Sequence, residues 1–182
     1  MYNGKFRRFR KGELLNVNDG IVLEIDKYKI KICQNVLNIM KKYIQKGFFS
    51  VESGGILIGK ENMSNNNLII THLTIPMSKD KQKHNRFFRR DKGHIEIFNN
   101  LYNESSEILR YIGEWHTHPE AIPNYSHIDS NNWKKINDES PFLINHYHFI
   151  IGYEAMRIWL FYKESKNIEL IATIFWKDVN NN

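Results

Sequence analysis

The sequence predicts one α/β (α+β) domain built on a single mixed β-sheet with helices packed against it. With 182 residues, 41% of them hydrophobic and 13% aromatic, the chain can bury a core within one domain. Segments with the two-residue period of strands follow one another closely enough to pair locally. Segments with helical period are interspersed among them, and this order favours one mixed sheet flanked by helices.

The first half of the chain predicts three strands, one helix and a long loop. Residues 32–47 place apolar side chains at helical spacing and reach Gly47, which is suited to stop a helix. Residues 76–92 begin with a proline and are mostly charged, so we expect an exposed loop there. The predicted strands of this half are 20–32, 55–60 and 67–75.

The second half predicts two helices and four strands. The helical segments are 93–105 and 126–138. The strand segments are rich in apolar and aromatic residues, and the last three end the chain in close succession. These strands are 109–118, 146–154, 156–163 and 168–176.

We expect the folded domain to span residues 20–177. A basic N-terminal segment, 1–19, should be partly ordered, and the Asn-rich tail, 178–182, should be frayed. The first residues are basic but have no apolar stretch behind them, so no secretory signal is expected. No run approaches the ~18 apolar residues of a membrane span. The expectation is a cytoplasmic protein without membrane contact.

The net charge of +6 is concentrated at residues 5–11 and 79–92. Such basic stretches can attract an acidic protein or a nucleic acid, or can simply be solvated surface. No nucleic-acid-binding motif accompanies them, so nucleic acid is an unlikely partner. Cys33 is the only cysteine. A disulfide framework and a cysteine-built zinc cluster are therefore excluded, and any metal must use histidine and carboxylate ligands.

The segment GEWHTHPEAIPNYSHID, residues 113–129, concentrates side chains that can bind a metal. In a strand, His116 and His118 lie on the same side and can face one ion. The same alternation predicts that Ile112 shares this side. Pro119 cannot continue the strand, which leaves both histidines at its C-terminal end.

Asp129 can supply a third ligand. Ser126 opens a helix and Asp129 lies one turn into it, so the carboxylate can face the histidines if residues 119–125 fold over. Two imidazoles and one carboxylate leave a fourth position for water, which is the arrangement of a catalytic Zn²⁺ site. Ser126 and Asp129 also match a helix-capping pair, and both interpretations can hold at once.

A second histidine pair, His146 and His148, has the same spacing on another strand. It lacks a following proline and a suitably placed carboxylate. We therefore interpret this pair as structural.

A hydrolytic zinc site also needs a base. Glu114 lies on the histidine face of its strand, but ~7 Å from His116 along the backbone. Glu52 lies just before a strand, where Gly54 and Gly55 would let the backbone approach another group or a substrate. Spacing alone leaves both glutamates open.

Taken together, E-x-G-G-x-L-x-G from Glu52, H-x-H-P from His116 and S-x-x-D from Ser126 resemble the motifs of the JAB (JAMM, MPN-plus) metalloproteases. These enzymes cleave isopeptide and peptide bonds beside ubiquitin-like proteins. The resemblance covers roughly residues 20–175 and implies a curved mixed sheet of the JAB/MPN-like (cytidine deaminase-like) fold.

The resemblance also implies roles for individual residues. His116, His118 and Asp129 would be the Zn²⁺ ligands. Glu52 would be the general base and Ser126 would stabilise the attacked carbonyl, whereas Glu114 would have a supporting role. In this family an insertion near residues 76–92 helps to hold the substrate tail as an added strand.

A narrower resemblance involves FFRRDKGH (87–94), YIGEWHTHP (111–119) and SHIDSNNW (126–133). These segments look like the JAB proteins of bacterial antiphage operons of the CBASS type. In those systems a nucleotidyltransferase is conjugated to targets through its C-terminus, and the JAB protein removes it. The residues that carry this match are Arg90, Asp91, His94, Trp115 and Trp133.

The implied substrate is thus a protein with an extended C-terminal tail, a cGAS-like nucleotidyltransferase (CD-NTase) or a ubiquitin-like protein in conjugates. Substrate contacts are expected at Gly54, Gly55, Arg90 and Trp115. Alternatives are a JAB peptidase of another bacterial ubiquitin-like conjugation or precursor-processing system, and a scaffold that binds without catalysis.

Overall fold

The computed structural model describes residues 13–26, 28–140 and 145–179. Within these ranges nine strands form one sheet, two more form a hairpin, and there are three α-helices. The strands are β1 (Glu13–Val17), β2 (Gly20–Ile25), β3 (Tyr28–Cys33), β4 (Gly54–Asn62), β5 (Asn67–Leu73), β6 (Lys81–Lys83), β7 (Arg86–Phe88), β8 (Arg110–Thr117), β9 (Asn145–Ile151), β10 (Ala155–Tyr162) and β11 (Ile168–Phe175). The helices are α1 (Gln34–Lys42), α2 (Gly93–Glu104) and α3 (His127–Glu139), followed at the end by a 3₁₀ turn, Trp176–Asp178.

The sheet is mixed, as the sequence predicts. Its order is β1-β2-β3-β5-β4-β8-β9-β10-β11. The pairs β3–β5 and β8–β9 are parallel, and the other neighbours are antiparallel. Strand β8 lies between β4 and β9, so its C-terminal end is held on both sides. The predicted fold class is confirmed.

Each face of the sheet carries a hydrophobic core. Because neighbouring residues of a strand point to opposite faces, Phe149 and Ile150 of β9 belong to different cores. The larger core contains Phe149 and the apolar side of α1, including Leu37. The smaller core joins Ile150 to Trp133 of α3. Helix α3 is therefore anchored on the face opposite to α1.

A β-bulge in β8 changes which side chains share a face. Leu57 pairs with Gly113 but Ile58 pairs with Tyr111, so Ile112 is an extra residue on β8. Ile112 consequently lies in the larger core with Trp115. The expectation that Ile112 shares the side of the two histidines is wrong, because simple alternation does not continue through a bulge.

The segment predicted as one strand, 20–32, is a hairpin. β2 ends at Ile25 and β3 begins at Tyr28, with Asp26 in the left-handed region at φ 42°. Apolar or aromatic residues recur at positions 21, 23 and 25 in the first arm and at 28, 30 and 32 in the second, so a change of phase in the alternation marks the turn. The helix predicted over 32–47 is shorter, since α1 ends at Lys42.

The charged loop predicted at 76–92 contains the β6–β7 hairpin, in which Lys81 pairs with Phe88 and Lys83 with Arg86. β1 belongs to the expected N-terminal segment and pairs with β2. The basic run 5–11 and residues 180–182 of the expected tail lie outside the described residues. None of the helices in the described part of the chain is long and apolar enough to cross a bilayer.

Candidate metal centre

The end of β8 places two histidines at the middle of the sheet. His116 is paired with Gly54 of β4 on one side and with Ile150 of β9 on the other. The His118 N–H then donates to the Ile151 carbonyl over 3.0 Å. Pro119 follows and is exposed. Backbone pairing on both sides thus fixes the direction of both imidazoles.

The side chains of His116, His118 and Asp129 converge on one point. Nε2 of His116 and Nε2 of His118 are 3.0 Å apart. Oδ1 of Asp129 lies 3.3 Å from His116 Nε2, and Oδ2 lies 3.6 Å from His118 Nε2. One ligand atom from each residue lies within 4.8 Å of the others. Two imidazole nitrogens that face each other beside a carboxylate suit a metal cation, so the predicted ligand set fits the metal.

Asp129 is also the partner of Ser126 in a helix cap. The Asp129 N–H donates to Ser126 Oγ over 3.2 Å, and the Ser126 N–H and hydroxyl both donate to Asp129 Oδ2 over 2.6 Å. This reciprocal capping box starts α3. The cap orients the carboxylate whose other oxygen faces His116, so the capping role of the Ser-x-x-Asp motif is compatible with Asp129 as a metal ligand.

The electrostatics of the three groups favour positive charge between them. Burial raises the pKa of the Asp129 carboxyl, but hydrogen bonds from His116 and Ser126 outweigh it and bring the pKa below its ordinary value. Burial lowers the pKa of His116, but the hydrogen bond and the charge of Asp129 raise it by more, so the pKa of His116 lies above its ordinary value. Burial and then the charge of His116 lower the pKa of His118 to about 4. His118 is therefore neutral near pH 7, as a metal ligand must be.

Glu52 lies beside this cluster. Its Oε1 is 3.9 Å from His118 Nε2, and the residue is 5% exposed. Burial raises the pKa of the carboxyl to about 7, against opposing effects of His116 and the Phe87 N–H. The Glu52 N–H donates to the Lys83 carbonyl over 2.8 Å, and Gln82 Nε2 donates to the Glu52 carbonyl over 3.0 Å. The β6–β7 hairpin thus holds Glu52 in place.

Glu114 is occupied by Arg89. Nε and Nη2 of Arg89 donate to Glu114 Oε1 over 3.1 Å and 2.7 Å. This ion pair and Glu52 line the same cavity. There the positive charge of Arg89 neutralises the negative charge of Glu114. The sequence pattern gave no indication of Arg89 or Gln82 as parts of the site, although Asn85, a residue type that favours turns, could have indicated a hairpin.

A groove of about 470 Å³ leads to the cluster between β7 and α3. Its walls include Arg86, Phe88 and Arg90 on one side and Ile128 and Ile136 on the other. The guanidinium groups of Arg86 and Arg90 lie 4.2 Å and 5.4 Å from the centre of the Phe88 ring. A basic and aromatic wall faces an amphipathic helix, a shape suited to an extended chain.

The glycines expected near the substrate are required by close packing. A Cβ on Gly54 would lie 2.7 Å from the Phe87 ring and 2.5 Å from the Trp115 carbonyl oxygen. A Cβ on Gly55 would lie 2.1 Å from the Thr74 carbonyl oxygen. Gly55 also borders the groove. Larger residues at either position would displace the hairpin or β5–β4 pairing.

The structure places the other expected substrate residues differently. Arg90 is exposed and lies on the groove wall. The Trp115 indole is buried in the larger core, 1% exposed, and its Nε1 donates to the Thr74 carbonyl over 2.9 Å. Trp115 is nevertheless among the residues that line the groove, so its contact with a substrate stays a prediction. Trp133 of α3 lies in the smaller core. The two ring nitrogens of His94 form hydrogen bonds with the side chains of Thr74 and Asp80.

The second histidine pair lies in the smaller core. The His146 ring stacks on Phe161 at 4.6 Å, and the His148 ring stacks on Trp133 at 4.2 Å. Burial lowers the pKa of His146 to about 4 and that of His148 below its ordinary value. Within the described residues neither joins a metal-binding group.

Comparison with known proteins agrees with this geometry. The family model described as prokaryotic homologs of the JAB domain matches residues 43–162. A protein of Escherichia coli (strain TW11681) named CD-NTase/cGAS isopeptidase is 33% identical over 119 residues, covering 65% of this chain and 75% of that protein. A protein of the same name from Pseudomonas aeruginosa (strain BWHPSA011 / Pa011) is 31% identical, covering 70% and 79%.

A solved structure shows the fold independently. The solution structure of a Desulfitobacterium hafniense protein superposes with a TM-score of 0.52 at 14% identity, covering 79% of this chain and 90% of that one. At this identity the likeness concerns the fold alone. The matched family model spans most of the described sheet, including Glu52, both histidines and Asp129. The chain therefore belongs to the prokaryotic family of JAB-domain proteins.

Proposed function

We propose that this protein is a zinc-dependent isopeptidase that releases a CD-NTase from its conjugates by cleaving after the C-terminal residue of the CD-NTase. In this role it would antagonise a ubiquitin-like conjugation step in CBASS-type antiphage defence, in the cytoplasm. The observation that carries the proposal is the convergence of His116, His118 and Asp129 beside the buried Glu52. The relatives named CD-NTase/cGAS isopeptidase, at 31–33% identity, support the substrate class.

Zn²⁺ is the metal that fits the donor set. Two imidazoles and one carboxylate are typical ligands of catalytic zinc, whereas Mg²⁺ and Ca²⁺ prefer oxygen ligands alone. His116, His118 and Asp129 would hold the ion. When bound, Zn²⁺ would supply Lewis acidity. This would polarise the scissile carbonyl and lower the pKa of a water enough for it to lose a proton at neutral pH.

Glu52 is assigned the role of general base. Its pKa of about 7 suits a group that accepts a proton from the attacking water and then passes it to the leaving amine. Hydrogen bonds from the Glu52 N–H to the Lys83 carbonyl and from the Gln82 side chain to the Glu52 carbonyl keep the carboxylate next to His118. Glu114 is less suited to this role because its carboxylate already accepts two hydrogen bonds from Arg89.

Ser126 is assigned the role of stabilising the oxyanion that forms on the attacked carbonyl. Its hydroxyl donates to Asp129 Oδ2 over 2.6 Å. In the transition state it would exchange this acceptor for the carbonyl oxygen. One such donor is typically worth ~3 kcal/mol of transition-state stabilisation.

The substrate tail would lie extended in the groove between β7 and α3. Among the described residues β7 pairs only with β6, so its other edge can accept a further strand. Arg86 and Arg90 on this wall favour a tail with acidic side chains. Gly54 lets Phe87 of the hairpin approach β4 closely, and Gly55 borders the groove.

The proposal is tested with a purified, zinc-loaded protein and a CD-NTase joined through its C-terminus to a lysine of a target protein. We expect release of a CD-NTase with an intact C-terminal residue, observed by mass spectrometry. A conjugate of a bacterial ubiquitin-like protein serves as the comparison substrate. Cleavage of that conjugate alone would favour another conjugation system, and cleavage of neither would favour a scaffold without catalysis.

A further inference from the structure

Two phenylalanines next to the site are almost fully exposed. Phe48 is 86% and Phe49 is 93% exposed, and Val51 beside them is 41% exposed. The two phenyl rings touch edge to face, with centroids 5.5 Å apart. We refer to residues 47–51 as the aromatic tip. Adjacent aromatic side chains that are left in water, close to a functional site, are typical of contact surfaces.

The aromatic tip is held by a set of hydrogen bonds. Gly47 adopts φ 93°, and its carbonyl accepts from the N–H of Ser50 over 3.3 Å and from the Ser50 hydroxyl over 2.6 Å. The buried side chain of Gln45 donates through Nε2 to the carbonyls of Ser50 and His84, over 3.1 Å and 2.6 Å. Gln45 thus fastens the tip to the β6–β7 hairpin, so the turn presents its rings in a defined direction.

The tip contributes to a surface whose lining residues are separate from those of the groove. It precedes Glu52 directly in the chain and borders a depression of about 560 Å³. The residues lining this depression are Gln45, Lys46, Gly47, His84, Pro119 and Tyr153. None of them lines the groove between β7 and α3, yet Pro119 follows the ligand residue His118. The site therefore adjoins two surfaces that share no lining residue.

We propose that the aromatic tip and this depression dock the protein on the amine side of the scissile bond, the folded target that carries the modified lysine. This inference rests on the proposed isopeptidase function. An isopeptide joins two chains, and the groove accommodates only the tail on the carbonyl side. The chain on the amine side would leave past Glu52 and His118, and Gly47 of the tip and Tyr153 line the depression together with Pro119, the residue after His118. Lys46 at the rim favours an apolar patch on the target that is bordered by carboxylates.

The test compares two substrates that share one tail. The first is a conjugate of the CD-NTase to a lysine of a folded target protein, and the second carries a small fluorogenic amine in place of the target. Phe48→Ser combined with Phe49→Ser should lower kcat/KM about tenfold on the protein conjugate, since exposed aromatic anchors typically dominate such contacts. The same variant should cleave the small-amine substrate at the wild-type rate. Its melting temperature should also equal that of the wild type, because both rings are exposed.

Met63→Ser is the matched control, because Met63 is also exposed, at 63%, but lies in the turn after β4. It should change neither rate. Equal loss on both substrates, or no loss on either, would overturn the docking role of the tip. A wild-type dimer that the double variant dissociates in sedimentation would also overturn it, by assigning the surface to a second copy. Failure of the wild type to cleave either substrate would instead refute the proposed isopeptidase function.

Discussion

Arg89 holds Glu114 through two hydrogen bonds to one carboxylate oxygen, whereas Glu52 lies 3.9 Å from His118 Nε2 and, within the described residues, forms no ion pair with a lysine or arginine. The two glutamates that the sequence leaves in competition are thus in different electrostatic environments. An ion-paired carboxylate is a weaker base than a buried one whose pKa is raised. This difference leads to the first prediction.

Glu52→Gln should retain the metal and lower kcat by several orders of magnitude, because the group that transfers the proton is lost. Glu114→Gln should lower kcat much less, because it only weakens the positioning of Arg89 at the groove. Single-turnover rates and metal content of both variants provide the measurement. If Glu114→Gln were the more damaging change, the assignment of the base would be wrong.

Glu52 should also make the metal-free protein less stable as the pH rises. Burial raises its pKa from 4.5 to about 7, so the folded protein retains a proton that the unfolded chain loses between these values. The stabilisation from this proton is fully present below pH 4.5 and is lost as the pH rises through about 7. Glu52→Gln should therefore gain on the order of 3 kcal/mol of unfolding free energy relative to wild type between pH ~4.5 and ~8. Urea denaturation of both proteins at the two pH values measures this change, and a constant difference would contradict it.

The protein should bind about one zinc ion per chain, with loss of activity in a chelator and recovery on adding zinc. His116→Ala and Asp129→Ala should each abolish binding and the rise in melting temperature that zinc causes. His127→Ala is the control, since His127 is exposed on the first turn of α3 and outside the ligand set. Elemental analysis and calorimetry give the result. Undiminished zinc binding by either variant would remove that residue from the site.

The hairpin should depend on the buried carboxylate of Asp80. Burial raises the pKa of Asp80, but N–H groups of Asp91, Met77 and Arg90 together with His94 Nε2 bring it down to about 2. Asp80→Asn should cost about 3 kcal/mol of unfolding free energy, because several of these bonds lose their charged acceptor. Amide exchange in residues 81–88 should accelerate. Asp138→Asn is the control, since Asp138 forms an exposed ion pair with Lys166. It should change neither the unfolding free energy nor the amide exchange of residues 81–88.

The basic side chains of the hairpin should speed encounter with an acidic substrate. Replacing Lys79, Lys81 and Lys83 together with Gln should lower kcat/KM on a protein conjugate and flatten its salt dependence. The hydrogen bond from the Glu52 N–H reaches the Lys83 backbone, so these replacements should leave kcat and metal content unchanged.

The matched control removes three exposed positive charges elsewhere, at Lys60, Lys134 and Lys177. Its salt dependence should stay close to that of the wild type. Equal slopes for the hairpin variant and the wild type would show that these lysines do not meet the substrate. Arg90 is left intact because it forms part of the groove wall.

The sequence by itself determined the fold class and the family, and it predicts the metal-binding group. Period-two alternation and the proline after His118 place two imidazoles at a strand end, and Ser126 with Asp129 starts a helix through contacts only three residues apart. These features are local, so a linear pattern can specify them. The mixed sheet and the JAB family membership predicted from the sequence are both confirmed.

Only the tertiary structure decided what depends on residues far apart in the chain. The bulge in β8 moved Ile112 into the core, and the indole of Trp115 turned out to be buried against Thr74. Glu114 differs from Glu52 in its electrostatic environment because Arg89 forms hydrogen bonds with it. The position of Arg89 is set by the hairpin and its anchor at Asp80. The burial of a side chain and the charges around it depend on segments that are distant in the chain and meet only in the folded sheet. The periodicity of one segment therefore does not indicate which charged side chains of another segment will lie beside it.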